Sequence, residues 1–131
     1  MTGVRPGKWL SNNGGGLEIT SIANGQLIGR YQTMVGRPQI TEWFPAYGAT
    51  DGILIGFAVL WRNDNGEHGS LTSWTGRHLD AGVPDGLGDH SRERIEMQWH
   101  LARLKRDDDP ASPYAMWEIF ITNYSVLYFN P

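Results

Sequence analysis

The sequence predicts an all-β fold, an eight-stranded antiparallel up-and-down β-barrel that forms a single domain over residues 1–131. The 17 Gly and 7 Pro divide the chain into short segments, and within these segments apolar and polar residues alternate with a period of two. A closed barrel of about eight strands has an interior just wide enough for its own side chains or for one small ligand. The strand-like segments lie near residues 7–11, 17–22, 27–34, 39–47, 53–63, 68–79, 92–104 and 115–129.

Two short polar sequences between these segments are typical of hairpin turns. Asn24-Gly25 and Asp64-Asn65-Gly66 accept the positive φ angles that a type I′ turn needs. Longer exposed connections are predicted at residues 80–91, which are rich in Gly, Asp and Pro, and at residues 105–110. The adjacent Asp residues in the second connection indicate a solvated loop rather than a cation site.

Composition limits the possible function. The net charge of −3 and the pI near 5.7 provide no basic surface for nucleic acid or for an anionic membrane. The absence of Cys excludes a disulfide framework and thiolate metal ligands, and no apolar stretch is long enough to span a bilayer. We expect a soluble protein without nucleic-acid or membrane partners, cytoplasmic as written and secreted if a signal peptide has been trimmed.

The outer faces of two predicted strands indicate self-association. Residues 53–61 are apolar on both faces, and the last strand carries Met116, Phe120, Tyr124 and Tyr128 on its outer face. An apolar outer face of a barrel needs a cover, and the usual cover is another subunit. We therefore expect a homo-oligomer, either a dimer or a tetramer. The alternative is that a loop of the same chain covers the strand.

The period of two places aromatic and hydroxyl side chains on the inner faces of the predicted strands. They are Tyr31 and Thr33 on the third strand, followed by Val35 on the same face, Ser70, Thr72 and Trp74 on the sixth, Trp99 on the seventh and Trp117 on the eighth. From the residues alone, an inward Trp is more often a core residue than a ligand contact.

Six short sequences, in strand order and spread over nearly the whole chain, resemble the avidin/streptavidin family. They are GKW at residues 7–9, GQLIGRY at 25–31, ATDG at 49–52, GFAVLWRN at 56–63, SLTSWTG at 70–76 and MQWHL at 97–101. The likeness is good in the first, third, fifth, sixth and seventh strands and weak in the fourth and eighth. The resemblance implies an avidin-like barrel, usually a homotetramer, that binds biotin without chemistry.

At the matched positions the resemblance implies four wall residues and a set of hydrogen-bonding groups. The walls are Trp61, Trp74, Trp99 and Trp117, the last reaching a neighbour's pocket across an interface. The polar groups are Tyr31 for the ureido oxygen, Thr33 for a ureido N–H, Ser70 near the valerate carboxylate and Thr72 near the ring sulfur. Indole faces suit a rigid bicyclic ligand because they supply large apolar contact area with little rotamer entropy to lose.

The end that would bind the ureido group departs from the family pattern. Ser11 and Gly15 stand where the family has an Asn and a Ser, with Asn13 between them on the same face. Ser125 stands where the family has an Asp or Asn, with Asn123 two residues earlier on the same face. The resemblance thus implies conserved walls and a rebuilt ureido end, with Ser11, Asn13 and Ser125 as candidate contacts.

No residue pattern predicts a catalytic site, a metal site or a cofactor. None of the four His has a metal-ligand spacing, and no phosphate or dinucleotide loop is present. The sequence therefore predicts a binding protein rather than an enzyme.

Two alternatives to biotin binding stay open. In the first, the barrel is reused for another small apolar ligand, as a binder or as a cofactor-free cyclase-type enzyme acting by positioning alone. In the second, it is a structural oligomer whose cavity is filled by side chains such as Met97 and Trp99.

Overall fold

The computed structural model describes residues 3–12, 14–33, 42–62, 68–103 and 120–131, and within these ranges it confirms the predicted fold class. Eight strands pair in sequence order, each antiparallel to the next, and the last pairs with the first to close the barrel. Among the described residues no helix is long and apolar enough to cross a membrane. The strands are β1 (Gly7–Leu10), β2 (Gly16–Ala23), β3 (Gln26–Gln32), β4 (Phe44–Thr50), β5 (Leu54–Arg62), β6 (His68–Leu79), β7 (Arg94–Arg103) and β8 (Phe120–Asn130).

The fourth strand lies further along the chain than predicted. The predicted strand covers residues 39–47, whereas β4 begins at Phe44 and ends at Thr50. The prediction was wrong because the following reversal is tight. The Asp51 carboxylate accepts the backbone N–H groups of Ile53 and Leu54, at 2.9 and 2.7 Å, and confines the turn to residues 51–53. Strand pairing therefore continues to Thr50.

The hairpin between β2 and β3 turns at Asn24-Gly25, as predicted. Both residues have positive φ, 52° for Asn24 and 77° for Gly25, which is what a type I′ turn requires. The other predicted hairpin turn, at Asp64-Asn65-Gly66, lies outside the described residues, as do residues 105–110 and 115–119.

Alternate residues of each strand fill the barrel interior. In β5 the buried side chains are Ile55, Phe57, Val59 and Trp61. The outward Leu54 and Leu60 of the same strand are 59% and 46% exposed, as expected for a strand that is apolar on both faces. The inner faces predicted for the third, sixth and seventh strands are also buried, at Tyr31, Thr72, Trp74 and Met97.

An ion-pair network closes the lower end of the barrel, which we define as the end where β1 begins and β8 ends. The Arg5 guanidinium donates to both carboxylate oxygens of Glu93, at 2.6 and 2.9 Å, and His78 Nε2 lies 2.6 Å from the same carboxylate. Chiefly through the Arg5 hydrogen bond, the pKa of Glu93 is lowered to about 2, although burial opposes the shift. Asp80 brings a third possible metal ligand within 4.8 Å of His78 and Glu93, but Arg5 already occupies both Glu93 oxygens.

A buried arginine organises the loop between β6 and β7. Arg94 is fully buried, and its guanidinium donates to the backbone carbonyl groups of residues 80, 83, 85, 87 and 92 at 2.6–3.5 Å. The same loop covers Tyr128, because the Asp89 N–H donates to its hydroxyl at 2.8 Å and Arg92 lies 3.9 Å from its ring centre. The prediction that Tyr128 needs another subunit as cover is therefore wrong, since a loop of its own chain buries it.

We expect pH to act on stability through Glu93. Its pKa falls from 4.5 to about 2 in the folded protein, so the ionised carboxylate stabilises the fold above about pH 4.5. This contribution is lost as the pH falls from about 4.5 towards 2. Glu93→Gln should lower the free energy of unfolding by about 1–3 kcal/mol at neutral pH, and the difference should shrink towards pH 2. Urea unfolding across this pH range measures both effects.

Glu18→Gln is the matched control for this prediction. Glu18 pairs with Arg30 at 2.6 Å on the exposed faces of β2 and β3, where such pairs contribute about 0–1 kcal/mol. Equal losses for the two variants at every pH would contradict the role assigned to Glu93.

Candidate ligand-binding site

Four of the predicted ligand contacts, which lie on β3, β5 and β6, are near the upper end of the barrel, opposite the ion-pair network. The upper end is where β1, β3, β5 and β7 finish and the strands that follow them begin. Tyr31 and Trp61 each lie one residue before the end of their strands, and Ser70 and Thr72 lie close to the start of β6. Two strands that end here and one that begins here thus bring these four side chains to the same part of the interior.

Four aromatic side chains form one buried cluster in this region. Trp74 stacks on Phe57 with ring centroids 4.6 Å apart and an interplanar angle of 15°, and Tyr31 lies 4.6 Å from Trp74 at 31°. Trp61 meets Tyr31 edge-on at 5.9 Å. All four side chains are less than one-tenth exposed, at 3–8%. We call Tyr31, Phe57, Trp61 and Trp74 the aromatic cluster.

Two phenylalanines in this region were absent from the predicted contacts. Phe57 belongs to the aromatic cluster, and Phe44 lies 5.0 Å from Trp61 at an angle of 71°. A signal for Phe57 was present, because it lies four residues before Trp61 on the same period-two face. The signal for Phe44 was lost because the fourth strand was misplaced and its inner face was not assigned.

The polar groups beside the aromatic cluster are neutral hydrogen-bond donors. Trp61 Nε1 donates to Thr72 Oγ1 at 2.8 Å, in buried surroundings. Having accepted this bond, the Thr72 hydroxyl keeps its own proton to donate. Burial raises the pKa of Tyr31 to about 12, so its hydroxyl is protonated at neutral pH. This part of the interior therefore presents O–H donors between aromatic faces.

Of the predicted contacts, Ser70, Thr33 and Trp99 are half-buried at the border of the aromatic cluster. Ser70 pairs with Trp61 across β5 and β6, and Trp99 pairs with Trp74 across β6 and β7. Thr33 directly follows β3, two residues after Tyr31. Strand register thus places Ser70 and Trp99 beside the cluster, and Thr33 lies next to it along the chain.

The residues predicted for the ureido end have different surroundings. The Ser11 hydroxyl donates to the backbone carbonyl of Gly15 at 2.9 Å, within the connection from β1 to β2. Ser125 is half-buried on β8, whereas Asn123 is exposed and its Oδ1 accepts the N–H of Tyr124 at 2.9 Å. The remaining predicted contacts, Asn13, Val35 and Trp117, lie outside the described residues and stay predictions.

A closed eight-stranded antiparallel barrel of this size has an interior that its own side chains fill or that holds one small ligand. A family model described as "Avidin family" matches residues 3–121. The chain therefore belongs to the avidin family.

Solved structures of avidin-like proteins share this fold. Apo shwanavidin is 23% identical, covers 99% of this chain and 100% of its own, and has a TM-score of 0.72. A rhizavidin–biotin complex is 21% identical, with 98% and 93% covered and a TM-score of 0.69. A biotin-binding protein from chicken is 23% identical, with 96% and 95% covered and a TM-score of 0.69. At these identities the likeness shows the fold alone.

We expect Thr72→Val to destabilise the protein by about 1–3 kcal/mol. The substitution keeps the side-chain volume but leaves the buried Trp61 N–H without its acceptor, and an unsatisfied buried donor costs free energy of this size. Thr75→Val is the matched control, because Thr75 is exposed on the outer face of the same strand and should change stability by less than about 0.5 kcal/mol. Urea unfolding compares them, and equal effects would contradict the assignment of the buried bond.

Proposed function

We propose that the protein binds biotin, or a biotin-like cyclic urea, non-covalently in the upper half of the barrel. The observation that carries this proposal is the buried aromatic cluster, with the Thr72 hydroxyl bonded to Trp61 at its edge. Membership of the avidin family supports it, as does the rhizavidin neighbour, whose structure is a biotin complex.

In this proposal the aromatic faces hold the bicyclic ring and the hydroxyl groups orient it. Planar rings supply apolar contact area at a low entropic cost, which suits a rigid ligand. The walls are Trp61, Trp74, Trp99 and Trp117, the last from a neighbouring subunit, with Val35 beside them. The polar contacts are Tyr31 to the ureido oxygen, Thr33 to a ureido N–H, Ser70 near the carboxylate and Thr72 near the sulfur.

We expect weaker binding of biotin than a complete set of hydrogen bonds to its ureido group would give. The Ser11 hydroxyl is engaged with Gly15, and Gly15 itself has no side-chain donor. Each neutral hydrogen bond contributes about 0.5–1.5 kcal/mol, so the loss of two or three lowers affinity by about one to three orders of magnitude. Asn13 and Ser125 are the residues available to replace part of this set.

Titration with biotin, followed both by heat and by tryptophan fluorescence, tests the proposal. We expect the unmutated protein to bind biotin, and Trp61→Phe to lower the affinity by about tenfold through lost apolar contact. Trp43→Phe is the matched control, because Trp43 lies against the Arg30 side chain on the outer face of β3, at 4.4 Å from the ring centre. Its affinity should be unchanged. An absence of heat and fluorescence change at millimolar biotin would contradict the proposal.

The altered ureido end favours a second candidate, in which the barrel is reused for another small apolar ligand. The observations behind it are the Ser11 hydroxyl turned to Gly15 and the exposure of Asn123. Such a barrel would act as a binder, or as a cofactor-free enzyme that folds an apolar substrate by positioning alone. Family membership supports binding rather than catalysis. Crystals soaked with biotin and with candidate metabolites separate the two, because only the true ligand class should occupy the aromatic cluster.

We also propose that the protein forms a homo-oligomer through the outer faces of β5, β6 and β7. Leu60, Leu71 and Ala102 lie side by side across these strands. Leu60 and Leu71 are 46% and 43% exposed in the single chain. In the neighbouring row Ala58 and Ser73 are small and allow close approach of a partner surface at β5 and β6, whereas the exposed His100 stands beside Ser73 on β7. A stripe of this kind suits contact with a second copy of the chain.

Leu60→Lys should reduce the molar mass measured by sedimentation equilibrium, because a charge buried at the interface without a partner opposes association. Thr20→Lys, on the exposed outer face of β2, should leave the mass unchanged. A monomeric unmutated protein, or an unchanged mass for Leu60→Lys, would contradict this interface.

A further inference from the structure

Three tryptophans of the described residues are fully or nearly fully buried, and they differ in whether the indole N–H has a hydrogen-bond acceptor. Trp9 Nε1 donates to the Arg5 carbonyl at 3.0 Å, and Trp61 Nε1 donates to Thr72 Oγ1 at 2.8 Å. Trp74 Nε1 is buried to the same degree but has no hydrogen-bond partner. It is the single buried side-chain nitrogen or oxygen in this state within the part of the chain that the structure describes.

The surroundings of Trp74 hold the indole in place without offering it an acceptor. One face stacks on Phe57 at 4.6 Å, Tyr31 lies 4.6 Å away, and the side chain is only 4% exposed. Buried N–H groups are almost always paired, because leaving one unpaired costs about 1–3 kcal/mol. A buried donor that the folded chain leaves unpaired is available to a hydrogen-bond acceptor of a molecule that enters the interior.

We infer that the Trp74 indole N–H donates a hydrogen bond to an acceptor atom of the ligand that occupies the barrel. This inference rests on the proposed function, in that the ligand sits in the aromatic cluster, and it goes beyond it by assigning the ligand a neutral acceptor at Trp74. The acceptor class is the carbonyl oxygen of a urea, lactam or ketone.

The charges of the described residues favour a neutral acceptor over a carboxylate at this position. The buried arginine, Arg94, lies under the β6–β7 loop, and its guanidinium donates to five backbone carbonyl groups there. It therefore provides no counter-charge at Trp74. The donors near Trp74 are the neutral hydroxyls of Tyr31 and Thr72. A carboxylate placed among aromatic rings and neutral donors would lose its hydration without gaining a counter-charge.

Indole ¹⁵N labelling tests the inference directly. The Trp74 resonance is assigned with Trp74→Phe, and the protein is titrated with 2-imidazolidinone, a cyclic urea, and with cyclopentane, a ring of the same size without an acceptor. Both probes are saturated, so neither adds an aromatic ring current. We expect the Trp74 indole proton to move downfield and exchange more slowly with 2-imidazolidinone only, while the Trp9 and Trp61 indole protons keep their internal partners. The titration is then repeated with biotin.

Two variants separate the hydrogen bond from the loss of ring contact. Trp74→Phe and Trp61→Phe remove the same part of the side chain, but the Trp61 N–H is paired with Thr72 inside the protein. Trp74→Phe should weaken binding of 2-imidazolidinone about tenfold more than binding of cyclopentane, the size expected for one buried hydrogen bond. Trp61→Phe should weaken both by a similar factor.

The outcomes distinguish this inference from the proposed function. If biotin binds and the Trp74 proton does not move, the inference is wrong and the proposed function stands. If 2-imidazolidinone moves the Trp74 proton and biotin does not bind, biotin is wrong as the ligand and the inference stands. A Trp74 proton that is already downfield and protected without a probe, and unchanged by one, assigns the acceptor to water and overturns the inference. Absence of binding by every probe overturns both.

Discussion

Closure of the barrel between β1 and β8 is the constraint on which the rest of the structure depends. β1 has only four residues, yet it pairs with β2 on one side and β8 on the other. Trp9 supports both pairings, because it is fully buried, bonds to the Arg5 carbonyl and packs against Phe129 at 4.8 Å. Arg5 in turn holds Glu93 at the end of the β6–β7 loop. Opening this short seam would expose two strand edges and release the interior positions that the closed register fixes.

The two ends of the barrel differ in how completely their polar groups are paired. At the lower end Arg5 and Glu93 form a bidentate pair, and Arg94 donates to five carbonyls. At the upper end the Trp74 N–H has no acceptor in the described chain, and the Tyr31 hydroxyl is a neutral donor whose pKa burial raises to about 12. Unpaired buried donors lower stability, so the aromatic cluster depends on interactions elsewhere in the fold. The lower end supplies such interactions away from the groups to which the proposed ligand would bind.

The sequence predicts the parts of this molecule that depend on local pattern. Period-two alternation identifies the strands and their inner faces, and Asn24-Gly25 identifies a turn, because backbone geometry there follows from the residues themselves. It misplaces β4 because the end of that strand depends on where the Asp51 side chain bonds to the backbone. It also misses the burial of Arg94, which by alternation is an ordinary outward charge, since only the folded loop brings five carbonyls around it. The unpaired Trp74 N–H is equally invisible, because pairing depends on neighbours from other strands.

The side chains that depart from the family pattern and the unpaired donors of the barrel interior both bear on which ligand acceptors the interior can bind. The family resemblance implies that the walls are kept and that Ser125 stands in place of a side chain with stronger acceptors. In the structure the aromatic cluster contains two neutral donors, the Trp74 N–H and the Tyr31 hydroxyl, and the Thr72 hydroxyl, which accepts from Trp61, lies beside it. Aromatic faces select a ligand by size and shape and discriminate weakly between isosteres, whereas a buried donor strongly disfavours any ligand that leaves it unpaired. In the proposed binding mode, selectivity is therefore set by which ligand acceptors reach these donors, and the stacking of Trp74 on Phe57 fixes the direction from which they must approach.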